Sequence, residues 1–147
     1  MNISIRKATA EDLSAIYDLV VELAVYEKEP EAVTATLETY QKNFKEGWFE
    51  SIVATENEEV VGMMIYYNTF STWKGKMLYL EDFVVSNEHR RKGIGQLLFD
   101  ELFNIGREKG VKLVKWQVLD WNEPAINFYK KNQSIMEEEW NNCKVFL

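Results

Sequence analysis

Three stretches of the chain hold residue types that can do chemistry together. The first is the adjacent carboxylate pair Glu81 and Asp82 inside MLYLEDFVV (77–85). The second is HRRKGIG (89–95), where three consecutive cations run into two glycines. The third is DWNEPAINFY (120–129), which closes on Tyr129. A carboxylate can take a proton from an ammonium, and a phenol can give one back. A glycine-rich turn that opens a helix can hold an anion.

The second stretch has the geometry of an anion cradle. Gly93 and Gly95 let the backbone N–H groups of residues 91–96, those of Ile94 and Gln96 included, point into one concavity. The helix that follows adds its positive N-terminal end. Arg90, Arg91 and Lys92 add charge and side-chain donors, so the expected ligand is a di- or oligophosphate. A Walker loop would need Gly-Lys-Ser/Thr after its spacer, which is missing. A dinucleotide fingerprint would need a third glycine where Leu98 stands. The bland alternative is a charged turn with Gly95 as a packing residue.

In a regular strand Glu81 and Asp82 face opposite sides, and Glu81 shares a face with Tyr79, Phe83 and Val85. A carboxylate among such side chains is partly desolvated, which suits a proton acceptor working directly or through a water. The alternative is that Glu81 pairs with a cation or ends the strand. Both carboxylates can reach one pocket only if the strand bulges near Phe83. For Tyr129 the residues leave two readings. A phenol is protonated at pH 7 and can donate to a sulfur anion. INFY can equally be a buried aromatic stripe, with Ile126 and Tyr129 three apart and Phe128 in the core.

Composition narrows the classes. A chain of 147 residues, 46% hydrophobic, has the size and core of one domain, taken here as 1–147. The net charge of -7 disfavours nucleic acid and favours a cationic small molecule, though acidity also serves solubility. Cys143 is the only cysteine, so no internal disulfide forms, which fits the cytoplasm. His89 is the only histidine, which argues against a His-rich metal site and a Ser-His dyad, so no metal is expected. Beside two arginines, His89 reads as a solvated loop residue. LSAIYDLVVELAV carries Asp18 and Glu22 and reads as an amphipathic helix, not a membrane span. Arg6, Lys7, Glu11 and Asp12 leave no room for a signal peptide's apolar run.

The elements follow from patterning. ISIRK (3–7) alternates as a strand, and Thr9 with Asp12 resembles a capping box that starts a helix through Tyr26. A second helix lies near 34–46, with Gly47 past its end. SIVATENEEVVGMMIYY is a hairpin turning at Asn57 and Glu58. After a turn at 71–76 comes the strand 77–85, then a helix from Gly93 stopped by Gly110, then a strand at 112–119. Asn122 caps a helix over 123–131 with Pro124 in its first turn, and NNCKVFL reads as a final strand. The order predicts an α/β fold: helices on a mixed, mostly antiparallel sheet, with a parallel crossover through 77–119.

R-x-x-G-x-G after a strand ending EDFVV resembles the acetyl-CoA site of the GNAT superfamily of N-acetyltransferases. YYNTFSTWKGKMLYLEDFVV, DWNEPAINFYKK and IRKATAEDLSAIYDLVVELAVYEKE are similar to stretches of the spermidine/spermine and thialysine acetyltransferases. The resemblance covers roughly residues 3–131 and implies a GNAT-like fold with a central strand bulged near 81–85. It implies that the cations and glycines cradle the CoA pyrophosphate. Backbone groups of Phe83, Val84 and Val85 would pair with the pantetheine arm as an added strand does, and Asn122 and Ala125 would lie near that arm. Tyr129 corresponds to the family's general acid, and Glu81 to its acceptor-binding carboxylate.

Acetyl transfer to an amine requires a deprotonated amine, a polarised thioester carbonyl and a protonated leaving thiolate. For the developing oxyanion the backbone N–H of Phe83 is the candidate. For the acceptor, Tyr26 and Glu27 match the YE of polyamine acetyltransferases, and Trp73 lies in the hairpin turn. With Asp82 and Glu138 these aromatics and carboxylates suit a polycation. The chain has Asn132 where the family has glycine after FYK, and its terminal segment is shorter than in the polyamine enzymes. The expected activity is acetyl transfer to a polyamine, diamine or thialysine-like amino acid by a homodimer. A protein or peptide acetyltransferase and a non-catalytic CoA sensor are the alternatives.

Overall fold

The computed structural model describes residues 2–147, which fall into two compact units. The first runs through Trp116, and the second is Gln117–Leu147.

In the first unit the chain forms β1 (Ile3–Lys7), α1 (Leu13–Tyr26), α2 (Leu37–Lys45), β2 (Glu50–Glu56), β3 (Glu59–Ser71), β4 (Gly75–Val85), α3 (Ile94–Lys109) and β5 (Leu113–Lys115). The strands lie in chain order in one sheet, antiparallel except for the parallel pair β4–β5. That is the predicted mixed sheet flanked by helices.

Local chemistry sets the boundaries. The Thr9 N–H donates to Asp12 Oδ2 at 2.8 Å, and the Arg6 guanidinium grips both Asp12 oxygens at 2.7 and 2.9 Å, which fixes the entry to α1. The β2–β3 turn uses Asn57 and Glu58, both left-handed at φ 50° and 70°, the twist that a two-residue hairpin needs. Gly110 ends α3 at φ 74°.

Each face of the sheet has its own layer. Leu13, Ile16, Leu19 and Val20 of α1 pack with Val53, Met63, Ile65 and Val84, and Leu37, Tyr40 and Phe44 of α2 border them. On the opposite face, the Phe99 ring of α3 meets Phe83 edge-on at 5.1 Å. Tyr66 is wholly buried, and its hydroxyl has no hydrogen-bond partner among the described residues. An unsatisfied buried hydroxyl costs about 1–3 kcal/mol, so Tyr66→Phe is expected to stabilise the fold by about 1 kcal/mol. A urea midpoint that fails to rise, at unchanged slope, rejects that account.

The second unit holds α4 (Glu123–Lys131). The Asn122 side chain accepts from the Ala125 N–H at 3.4 Å, and Pro124 stands in the first turn, as expected. Two expectations need correction. The strand at 112–119 shortens to Leu113–Lys115, because only those residues find a ladder on β4. NNCKVFL forms no strand: among the described residues none joins it in a backbone ladder, its Asn142 side chain accepts from the Gln117 amide at 2.6 Å, and Val145 and Phe146 stand exposed. An apolar run does not make a strand without a neighbour to satisfy its backbone. Among the described residues no helix is long and apolar enough to cross a membrane.

Candidate active site

The site begins with a register slip. β3 and β4 pair one to one from Ser71↔Gly75 to Tyr66↔Leu80, but Ile65 then faces Asp82. Glu81 is the extra residue, which makes it a β-bulge. The slip reverses the alternation of side chains. Phe83 meets Phe99 of α3, while Val84 joins the layer under α1. Glu81 and Asp82, which regular alternation would send to opposite faces, both line one cavity of about 260 Å³. The bulge therefore falls inside the expected stretch, two residues before Phe83.

Across the cavity from the pair stand Thr39, Tyr40 and Asn43 of α2, with Trp48 and Phe49 from the connection to β2. Tyr40 is held edge-on between Tyr17 and Phe49, at 5.1 and 5.8 Å. On the sheet, the Tyr67 hydroxyl donates to Glu81 Oε1 at 2.9 Å.

Burial sorts the two carboxylates opposite to the expectation. Glu81 is exposed, and Asp82 is the half-buried one. Desolvation, reinforced by the negative charges of Glu81 and Glu27, pushes the Asp82 carboxyl up to about 7. The physical reason is the bulge: the extra residue swings outward, and the next one turns in beneath α2. Burial, with Asp82 and Glu81 nearby, pushes the Tyr40 phenol up to about 12. Burial also raises the Tyr67 phenol, and its bond to Glu81 adds to that. Both rings remain hydroxyl donors at neutral pH. Glu27, closing α1, is raised by burial as well.

The cation loop follows β4. Arg91 and Gly93 both adopt left-handed backbone, at φ 64° and 79°, and Gly93 forms the N-cap of α3 with no side-chain cap. A Cβ on Gly93 would meet nothing within 4 Å, so φ and not crowding demands glycine there. Of the three cations, Arg90 turns back: its Nε donates to the Val85 carbonyl at 3.2 Å, and its guanidinium lies 5.4 Å from the Tyr26 ring centre. Arg91 and Lys92 are exposed beside the start of α3. His89 is not the solvated residue that was expected. Its Nδ1 lies 2.7 Å from Ser86 Oγ, and its Nε2 lies 2.9 Å from Glu56, which ties the loop to the β2–β3 hairpin. Before this loop, the β4–β5 ladder ends at Tyr79↔Lys115, and β4 runs on past it through Val84 and Val85.

Glu27, Glu81 and Asp82 are thus close enough to interact, while Trp73 stands exposed at the β3–β4 turn. In the second unit Asn122 caps α4, Tyr129 is that helix's buried residue, and Glu138 is exposed. The sequence reading missed Tyr67 and the α2 face. The signals were present: Tyr67 lies directly across the ladder from Tyr79, and Thr39 and Asn43 are four apart on one helix face.

Residues 13–133 match the model of the Acetyltransferase (GNAT) family. The chain belongs to the GNAT family of acetyltransferases. Acetyl-CoA is the cosubstrate of that family, and its members named among the relatives act on amines. A thialysine N-epsilon-acetyltransferase of Caenorhabditis elegans is 33% identical over 87% of this chain and 80% of its own length. The human spermidine/spermine N(1)-acetyltransferase-like protein 1 is 31% identical over 93% of this chain, which corresponds to 21% of that longer protein. In fold, the GNAT chain superimposes on a crystal structure of an aminoglycoside acetyltransferase from a soil metagenomic sample. The TM-score is 0.82 at 22% identity, over 99% of this chain and 96% of that one.

Proposed function

We propose that this GNAT enzyme moves the acetyl group of acetyl-CoA to a primary amine of a small cationic acceptor, a diamine, polyamine or thialysine-like amino acid, in a single ternary complex. The observation that carries the reading is the bulge at Glu81, which turns two carboxylates into one aromatic-walled cavity. An ammonium suits that cavity twice over. The carboxylates offset its charge, and the faces of Tyr40 and Tyr67 attract it. The relatives' names support an amine of this kind: one is a thialysine N-epsilon-acetyltransferase, and another is a spermidine/spermine N(1)-acetyltransferase-like protein.

The residues for the cosubstrate fit a diphosphate. Left-handed Arg91 and Gly93 lead into the N-terminus of α3, where Ile94, Gly95 and Gln96 bring the first-turn N–H groups, with Lys92 alongside. Phe83–Val85 continue β4 beyond its ladder with β5, which ends at Tyr79, and a peptide-like arm could pair with them there. When bound, acetyl-CoA supplies an acyl group already activated as a thioester. The carboxylate pair removes the ammonium proton, the backbone N–H of Phe83, two residues past the bulge, polarises the carbonyl, and Tyr129 returns a proton to the departing thiolate. Asn122 and Ala125 would flank the arm, and Tyr26, Trp73 and Glu138 would extend the acceptor site.

Release of free thiol from acetyl-CoA tests the acceptor, measured across diamines, polyamines, thialysine, lysine and peptides. The reading predicts turnover with the small cations. Turnover confined to peptides would replace it with a peptide acetyltransferase. Gly93→Val tests the cradle: a β-branched residue resists φ 79°, so acetyl-CoA affinity is expected to fall about tenfold or more. Unchanged affinity by calorimetry would remove the loop from the site.

A further inference from the structure

Two neighbouring carboxylates in one cavity cannot both ionise cheaply, so their environments must divide the work between them. What differs is the hydroxyl of Tyr67. It donates to Glu81 Oε1 at 2.9 Å, and its ring stacks on Tyr79 with centroids 5.5 Å apart and planes 21° apart. Tyr67 and Tyr79 are direct partners across the β3–β4 ladder, so sheet register fixes the donor. The Asp82 carboxylate, one residue on, receives no hydrogen bond or ion pair from the described residues. A carboxylate that accepts a hydrogen bond is favoured as the anion, and a buried one without a donor is favoured as the acid.

We propose that Tyr67 is a positioning residue that divides the pair: its hydrogen bond fixes the Glu81 carboxylate for the acceptor's ammonium and leaves Asp82 as the carboxylate that takes the proton. The inference rests on the cavity's being the acceptor site. The groups around the pair agree with it. Glu27 at the end of α1 and Glu81 itself both add negative charge at Asp82, Tyr40 faces the pair from α2, and Tyr79 backs Tyr67. Asp82, lifted to about 7, is matched to taking a proton near neutral pH. The acceptor nitrogen sheds two protons in becoming an amide. One passes to Asp82 and on to solvent, and the other balances the proton delivered to the thiolate. The nitrogen lone pair forms the C–N bond as the C–S bond breaks.

The test uses the full chain with acetyl-CoA and 1,4-diaminobutane, comparing wild type, Tyr67→Phe, Glu81→Gln and the double variant across pH. Tyr67→Phe keeps the ring and its stacking, so the fold should survive, and melting temperature checks this. The expected result is an acceptor KM raised about tenfold, the scale of one hydrogen bond to a charge. The KM for acetyl-CoA should be unchanged, and the acid limb of kcat/KM displaced. In the Glu81→Gln background the same substitution should add less than about twofold, because its partner is gone. A Tyr67→Phe enzyme with wild-type acceptor KM and acid limb, beside an impaired Glu81→Gln, overturns the proposal, as does strict additivity in the double variant. Wild-type kinetics in Glu81→Gln, or no acetylation of the diamine by wild type, instead removes the acceptor reading beneath it.

Discussion

Tyr129→Phe is expected to lower kcat by about 10²–10⁴-fold, the span that general acid catalysis supplies, with acetyl-CoA affinity close to wild type. Losing one hydroxyl removes an interaction made as the thiolate departs and little of the ground-state contact, so the loss falls on kcat. The phenol stands in α4, whose start Asn122 and Pro124 fix, and it is the buried residue of that helix. Burial alone has a second explanation: an aromatic packed with its neighbour Phe128, 6.0 Å away ring to ring. The two explanations part cleanly. If Tyr129 only packs, the variant loses about 1 kcal/mol of stability with a hydrogen bond and keeps its kcat per folded molecule. If it donates the proton, stability barely moves and turnover collapses. The ring stays in both cases, so no large cavity confuses the comparison. Wild-type kcat at saturating acceptor and acetyl-CoA would reject the general-acid role.

Particular residues show why some of this was legible in the sequence. The α4 boundaries are written in one cap and one proline, and the β2–β3 turn in two residues that tolerate positive φ. These are local signals, and local signals held. The need for a bulge was also legible, since two adjacent carboxylates cannot otherwise share a pocket. Its neighbourhood, 81–85, was expected as well, but not the residue at which the register slips. A bulge is chosen by how the sheet packs on both faces, and the slip at Glu81 serves Phe83 toward α3 and Val84 toward α1 together. Alternation counted through Glu81 therefore placed the desolvated carboxylate one residue early. His89 was misread for a similar reason, because its partner Glu56 comes from a distant strand. Thr39 and Asn43 are polar positions on a helix, of the kind that ordinarily face water. Only the tertiary position of α2 shows that this side overlooks a cavity.

Asp82→Asn is expected to weaken the enzyme and strengthen the fold. As proton acceptor, Asp82 is worth about 10²-fold or more in kcat/KM near neutral pH. The deficit should shrink as pH rises and more free amine exists without help. The stability effect has the opposite sign. Folding raises this carboxyl from 3.8 to about 7 through burial and the charges of Glu81 and Glu27. Below about pH 4 the group is protonated whether the chain is folded or not, and it costs nothing. Between about 4 and 7 the unfolded chain releases the proton that the folded chain keeps, so stability falls as pH rises through that window. Above about 7 the penalty is complete and constant. Asparagine carries no charge to desolvate, so the variant should gain stability at pH 8, by about 1–3 kcal/mol after allowing for water reaching a half-buried group, and gain little at pH 4. Urea midpoints at the two pH values measure the difference. An equal gain at both, or none at pH 8, would mean that Asp82 is not held out of water. Wild-type kcat/KM in the same variant would return the proton-accepting role to Glu81.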